Sequence, residues 1–95
     1  MDKYELTIVL QGNATTAKIK DVVERISTMV KANKGVVLEH EDWGKKDLAY
    51  QIEKNDTGVF LHFVLELPRE AVKTISDKVR LENDIMRHLL VTKEE

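Results

Sequence analysis

Any chemistry in this chain would have to be assembled from His40, His62 and His88, Ser27 and Ser76, and the polar run Glu39-His40-Glu41-Asp42. A nucleophile needs a base within hydrogen-bond reach and donors aimed at the charge that develops. The chain has no cysteine, and both serines fall inside segments with helical periodicity. The three histidines lie in separate predicted strands, and no glycine-rich phosphate cradle follows a strand. No enzyme is expected, and no catalytic residue is assigned. The run Glu39 to Asp42 offers carboxylates and an imidazole, but successive side chains of a strand point to opposite faces. At most two converge, too few for a metal without ligands from elsewhere. The run reads as solvated charge protecting a sheet edge, and neither a metal nor a cofactor is expected.

The segment Trp43-Gly44-Lys45-Lys46-Asp47-Leu48-Ala49-Tyr50-Gln51-Ile52-Glu53 is richer. Gly44 permits a bulge or a sharp twist inside a strand. Beyond it, alternation places Leu48, Tyr50 and Ile52 on one face, with Lys45 and Lys46 in water at the bend. Trp43 and Tyr50 carry two readings, core packing and contact with a protein partner, because aromatics supply large apolar area with a polar tip.

The elements that position these groups follow from periodicity. Tyr4, Leu6, Ile8 and Leu10 alternate with polar neighbours and predict a first strand. After a turn at Gln11-Gly12-Asn13, Thr15 or Thr16 caps a helix whose apolar stripe is Ile19, Val22, Val23, Ile26 and Val30. Gly35 is expected to end it in the left-handed conformation. A second strand begins at Val36, is interrupted near Gly44 and resumes through Leu48, Tyr50 and Ile52. Lys54 to Gly58 supplies hairpin chemistry. The column Val59, Leu61, Phe63, Leu65 and Leu67 predicts a central third strand. Pro68 is expected in the first turn of a second helix, with Ala71, Val72, Ile75 and Val79 buried. Ile85 to Val91 reads as strand four, and the tail Lys93-Glu94-Glu95 as frayed. The order βαββαβ predicts an α+β, ferredoxin-like fold: a four-stranded antiparallel sheet with two helices on one face. Strands one and three should be central, two and four edges.

Ninety-five residues suit one domain, residues 1–95. The apolar runs are too short for a membrane span, and the strand pattern at Tyr4 leaves no room for a signal peptide, so a soluble cytoplasmic protein is expected. The 15 Lys and Arg against 17 Asp and Glu give a net charge of -2, unlike the basic balance of autonomous nucleic-acid binders. Local contacts remain available, because screening confines exposed charges to a reach of roughly 8 to 10 Å.

The run Gly44-Lys45-Lys46-Asp47-Leu48-Ala49-Tyr50-Gln51-Ile52, with Tyr4-Glu5 and Arg87-His88-Leu89, resembles the bacterial small-subunit ribosomal protein six family over nearly the whole chain. Gln51 stands where the family usually has proline, and Glu53 where it usually has a basic or small polar residue. The resemblance implies a structural, cytoplasmic protein of the small ribosomal subunit that supports subunit assembly and translation. It implies binding to the central domain of 16S ribosomal RNA together with small-subunit ribosomal protein eighteen, as a heterodimer. An acidic chain that brings only a small basic patch gains from a basic partner that adds phosphate contacts, since the second contact becomes intramolecular. In isolation a monomer is expected.

On that reading the RNA-binding residues are Lys3, Arg87, His88 and Lys93, with Lys45 and Lys46 secondary. Antiparallel pairing brings Lys3 and Lys93 to one end of the sheet, and Arg87 can grip a phosphate bidentately. Trp43, Leu48 and Tyr50 are assigned to the protein partner through edge-strand docking, with packing as the other reading of Leu48 and Tyr50. RNA-recognition motifs share this topology but stack bases on aromatics of the central strands. Here those strands offer the ring of Phe60 beside Glu5, Thr7, Val9, His62 and Val64, so base stacking is not expected. The alternative from another class is a ferredoxin-like regulatory or oligomerising module that binds a small metabolite or itself.

Overall fold

The structure is a computed structural model that describes residues 1–52 and 54–93. Glu53 and the Glu94-Glu95 tail, whose fraying was expected, lie outside the described residues. In chain order the elements are β1 (Asp2–Gln11), α1 (Thr16–Ala32), β2 (Val36–Ile52), β3 (Asn55–Leu67), a 3-10 turn (Arg69–Ala71), α2 (Val72–Arg80) and β4 (Ile85–Thr92). The four strands form one antiparallel sheet in the order β2-β3-β1-β4. β1 and β3 are central, as the alternating columns require.

Alternation decides which face each side chain serves. Tyr4, Leu6, Ile8 and Leu10 from β1 join Val59, Leu61, Phe63, Leu65 and Leu67 from β3 beneath Val22, Ile26 and Val30 of α1 and Ile75 and Val79 of α2. All are buried. Removing a side chain of this size from water contributes about 1.5 to 3 kcal/mol, so this layer carries most of the driving force for folding. The opposite face is open, save for a small cluster of Val9, Ile52 and Met86 with half-buried Leu48 and Phe60.

Local chemistry sets the helix ends. Thr15 caps α1, its Oγ1 accepting from the Lys18 amide at 3.1 Å. At the other end the left-handed residue is Lys34, with φ 65°, not Gly35. The Gly35 amide donates to Val30 O at 2.9 Å and the Lys34 amide to Lys31 O at 3.1 Å, the paired bonds of a Schellman cap. Gly35 is required for space instead. A Cβ there would sit 2.5 Å from Leu67 Cδ2 and 2.8 Å from Glu66 O. Pro68 also differs from expectation: it is extended, with ψ 142°, and precedes the 3-10 turn instead of entering a helix.

β2 is continuous, not interrupted. Its 17 residues absorb irregularities between Val37 and Glu39, Asp42 and Gly44, and Asp47 and Ile52. Gly44 occupies φ 84°, and its amide donates to Asp42 Oδ1 at 2.7 Å. Asp42 opposes Leu61 and Gly44 opposes Phe60, so Trp43 is the extra residue of a bulge. The third irregularity breaks the alternation expected beyond the bend. Leu48 and Ile52 pack on the open-face cluster, whereas Tyr50 is 69% exposed.

Candidate nucleic-acid interface

The cations singled out in the sequence fall into three places. Lys3 and Lys93 meet at one end of the sheet, where the Lys93 amide donates to Lys3 O at 2.9 Å. Arg87 lies on β4 opposite Val9, exposed on the open face. Val9 is six residues along β1 from Lys3, about 20 Å at the usual strand rise. That span is more than twice the screening length of about 8 Å at physiological salt, so Arg87 stands electrostatically apart from the two lysines. Lys45 and Lys46 pair with Val59 and Gly58 on the far edge, toward the end of β1 where Gln11 faces Gly58.

His88 parts company with Arg87. Its register partner is Ile8, a core residue of the helix-covered face. Its Nε2 lies 3.1 Å from Ser76 Oγ on α2. Burial, with added repulsion from the Arg80 guanidinium, holds the imidazole below its ordinary value. His88 is therefore neutral near pH 7 and turned toward the helix layer. Near pH 7 it adds no positive charge to this strand.

The Lys3 and Lys93 end also holds a concavity of about 680 Å³. Lys3, Tyr4, Thr92 and Lys93 line it, with Asp2 and Arg69. Arg69, from the 3-10 turn, escaped sequence reasoning because nothing in local periodicity brings residue 69 beside residue 3. Its Nε and Nη2 donate to Asp2 Oδ2 at 3.4 and 3.3 Å.

On the open face the bulge turns Trp43 onto the central strands. Its ring stacks on His62 with centroids 4.5 Å apart and planes 12° from parallel. Trp43 Nε1 donates to Glu41 Oε2 at 3.2 Å. His62 Nδ1 lies 3.1 Å from Thr7 Oγ1, and Nε2 lies 3.4 Å from Glu5 Oε1. Lys46 Nζ stands 5.7 Å from the Trp43 ring centroid and 6.0 Å from that of Phe60, within cation-π range. Sequence reasoning saw one ring on this face; the bulge adds a second above His62. Of the residues assigned to a protein partner, Trp43 is 41% exposed, Tyr50 is exposed at the hairpin, and Leu48 is half-buried in the small cluster.

The helix layer carries a different electrostatic cluster. Arg25 donates to Glu82 Oε2 at 2.7 Å, Asp84 Oδ2 at 2.7 Å and Asp21 Oδ2 at 2.8 Å, and Lys18 reaches Asp84 at 3.4 Å. The Arg25 hydrogen bond holds the Asp84 carboxyl below the usual carboxylate range, reinforced by Lys18 and opposed by desolvation. This cluster ties α1 to the turn before β4. Among the described residues no three His, Asp or Glu side chains gather in a metal-holding group.

A four-stranded βαββαβ sheet backed by two helices defines an α+β, ferredoxin-like protein. Comparison with known proteins makes the assignment specific: the family profile described as Ribosomal protein S6 matches residues 3–92, and the chain belongs to that family of structural, non-enzymatic proteins of the small ribosomal subunit. The small ribosomal subunit protein bS6 of Pelagibacter ubique is 32% identical over 91 residues, covering 96% of this chain and 75% of that protein. That of Paracoccus denitrificans is 33% identical over 95 residues, covering 100% and 72%. In fold, the chain is similar to the crystal structure of 30S ribosomal protein S6 from Thermotoga maritima, with TM-score 0.89 and 19% identity over 97% of this chain and 87% of that one. It is also similar to the C-terminal domain of the MgtC protein from Mycobacterium tuberculosis, with TM-score 0.59 and 10% identity over 100% and 90%. Among the described residues no helix is long and apolar enough to cross a membrane.

Proposed function

We propose that this chain binds the central domain of 16S ribosomal RNA as a heterodimer with small-subunit ribosomal protein eighteen, and that it stabilises folded RNA during subunit assembly without chemistry of its own. The family match over residues 3–92 carries this reading. The fold is also similar to that of the mycobacterial MgtC domain, so the fold alone does not carry the ribosomal role. Charge placement supports the choice of RNA contacts. Lys3 and Lys93 take one stretch of backbone, and Arg87 takes another through its planar fork. Lys45 and Lys46 add contacts at the opposite edge. His88 buttresses the strand that presents Arg87. Trp43 and Tyr50 face the partner, with Leu48 shaping the strand beneath them.

A chain of net charge -2 with separated cations binds RNA weakly alone and well in company. Filter binding of a central-domain fragment, with the partner present and salt varied, tests the reading. Each phosphate contact contributes about 0.7 to 0.9 to the slope of log affinity against log salt. Arg87→Ala is expected to lower affinity and flatten the slope by about one contact. Unchanged affinity and slope would remove Arg87 from the interface. Sedimentation of the isolated chain separates the second reading: a monomer at micromolar concentration agrees with the ribosomal role, and a stable dimer favours the self-associating module.

A further inference from the structure

We propose that the open-face row of β4, Arg87, Leu89, Val91 and Lys93, lies across the shallow minor groove of an RNA helix, with Leu89 and Val91 packed on ribose between two phosphate contacts. The inference rests on the ribosomal reading and deepens it, adding two apolar residues to the interface and naming the form of RNA they meet. Alternation fixes the row. Arg87 opposes Val9 of the small open-face cluster, Leu89 opposes Thr7 and Val91 opposes Glu5. Thr7 and Glu5 both reach the His62 ring on that face. Leu90, between Leu89 and Val91, packs instead against the helix-covered core. Two residues past Val91, Lys93 continues the row, its amide donating to Lys3 O at 2.9 Å.

Leu89 is 61% exposed and Val91 41%. Both stand on an edge strand, with no further strand beyond them among the described residues. Charge decides what covers them. The row carries a cation at each end and no carboxylate within it. The carboxylate beside it, Glu5, is drawn toward β3, where its Oε1 lies 3.4 Å from His62 Nε2. Arg87 and Lys93 are six residues apart, about 20 Å at the usual strand rise, so they meet two phosphates and not one. The row holds no aromatic ring, whereas proteins hold single strands by stacking their bases on rings. An A-form RNA helix offers a different surface: a wide, shallow minor groove that displays ribose hydroxyls between two phosphate backbones. Its major groove is too deep and narrow for side chains to read. A strand laid across the minor groove sets its end cations on the two backbones and its apolar middle on ribose carbons. Such a contact reads the shape of the helix and not its base sequence.

The test uses the full chain with its partner and the central-domain RNA fragment, titrated at several potassium chloride concentrations. Leu89→Ser is expected to weaken binding several-fold with the salt slope unchanged, because an apolar contact releases no counterion. Arg87→Ala, by contrast, is expected to flatten the slope by about 0.7 to 0.9, one phosphate contact. Leu81→Ser alters an apolar residue that is 79% exposed at the end of α2, outside the row, and is expected to match the parent. Thermal melts check that Leu89→Ser folds as the parent does; Val91→Thr, of nearly unchanged shape, is expected to act in the same direction and serves if it does not. Hydroxyl-radical cleavage of the RNA, which reports ribose exposure, is expected to show two protected stretches facing each other across one minor groove, with protection reduced in Leu89→Ser. If Leu89→Ser and Val91→Thr match the parent in affinity and ribose protection while Arg87→Ala weakens binding, the groove contact is wrong and the ribosomal reading stands. If Leu89→Ser weakens association with the partner in the absence of RNA, the row belongs to the protein interface and the groove contact is again wrong. If the parent with its partner binds no RNA, both fall together.

Discussion

At the residue scale, two glycines illustrate different physical demands. Gly35 is needed for space, since a Cβ would press on Glu66 O and Leu67 Cδ2. Gly35→Ala is expected to cost about 1 to 3 kcal/mol by overpacking, which thermal melting would show as a drop of roughly 4 to 8 °C per kcal/mol. Gly44 has nothing within 4 Å of a built Cβ but lies at φ 84°. Gly44→Ala costs conformational energy alone, about 1 to 2 kcal/mol. His88 gives a pH signature. Its folded value is lowered by burial and by Arg80, so below about pH 6.5 the unfolded chain binds a proton that the folded chain resists. Stability falls as pH drops from there toward the folded value. Urea midpoints at pH 7.5 and 5.5 should show this loss in the parent and a smaller one in His88→Gln. Sequence reading placed His88 correctly on strand four, but local sequence does not say that Ser76 and Arg80 of α2 stand beside it.

At the element scale, the regular pieces were legible and the irregular ones were not. Alternation at Tyr4, Leu6, Ile8 and Leu10 and the stripe from Ile19 to Val30 identify β1 and α1, because one buried face imposes one period. β2 resists that logic. Its irregularities at Asp42 and Asp47 each shift the partner register, so Trp43 reaches the open face and Tyr50 leaves the row of Leu48 and Ile52. The bulge also fixes the Trp43 and His62 stack. His62→Ala should red-shift the emission of the chain's only tryptophan while the circular dichroism of the sheet stays unchanged. The Arg25 cluster joins α1 to the turn before β4, and its acid response has a defined sign. Asp84 has a lowered folded value, so its contribution is present above about pH 3.9 and is lost as pH falls through the folded value. Asp84→Asn removes that share. Its side chain and that of Arg25 are about a third exposed, so solvent screening limits the loss to about 1 kcal/mol or less at pH 7, read from urea midpoints at pH 7 and 3.

At the scale of the whole molecule, antiparallel topology joins residues distant in sequence. It brings Lys3 beside Lys93, which the strand order alone foretold, and it brings Arg69 to the same concavity, which no local pattern signals. The same topology separates Arg87 from that end by about 20 Å of strand, so these cations are spaced along the molecule. Dispersed cations on an acidic chain suit a component that holds RNA within an assembly, where partner and RNA supply the remaining contacts. The most direct test is sedimentation of native cell extract through a high-salt sucrose gradient, with the chain detected fraction by fraction. The account predicts cosedimentation with small ribosomal subunits in growing cells; recovery of the chain at the top of the gradient, apart from subunits, would contradict it.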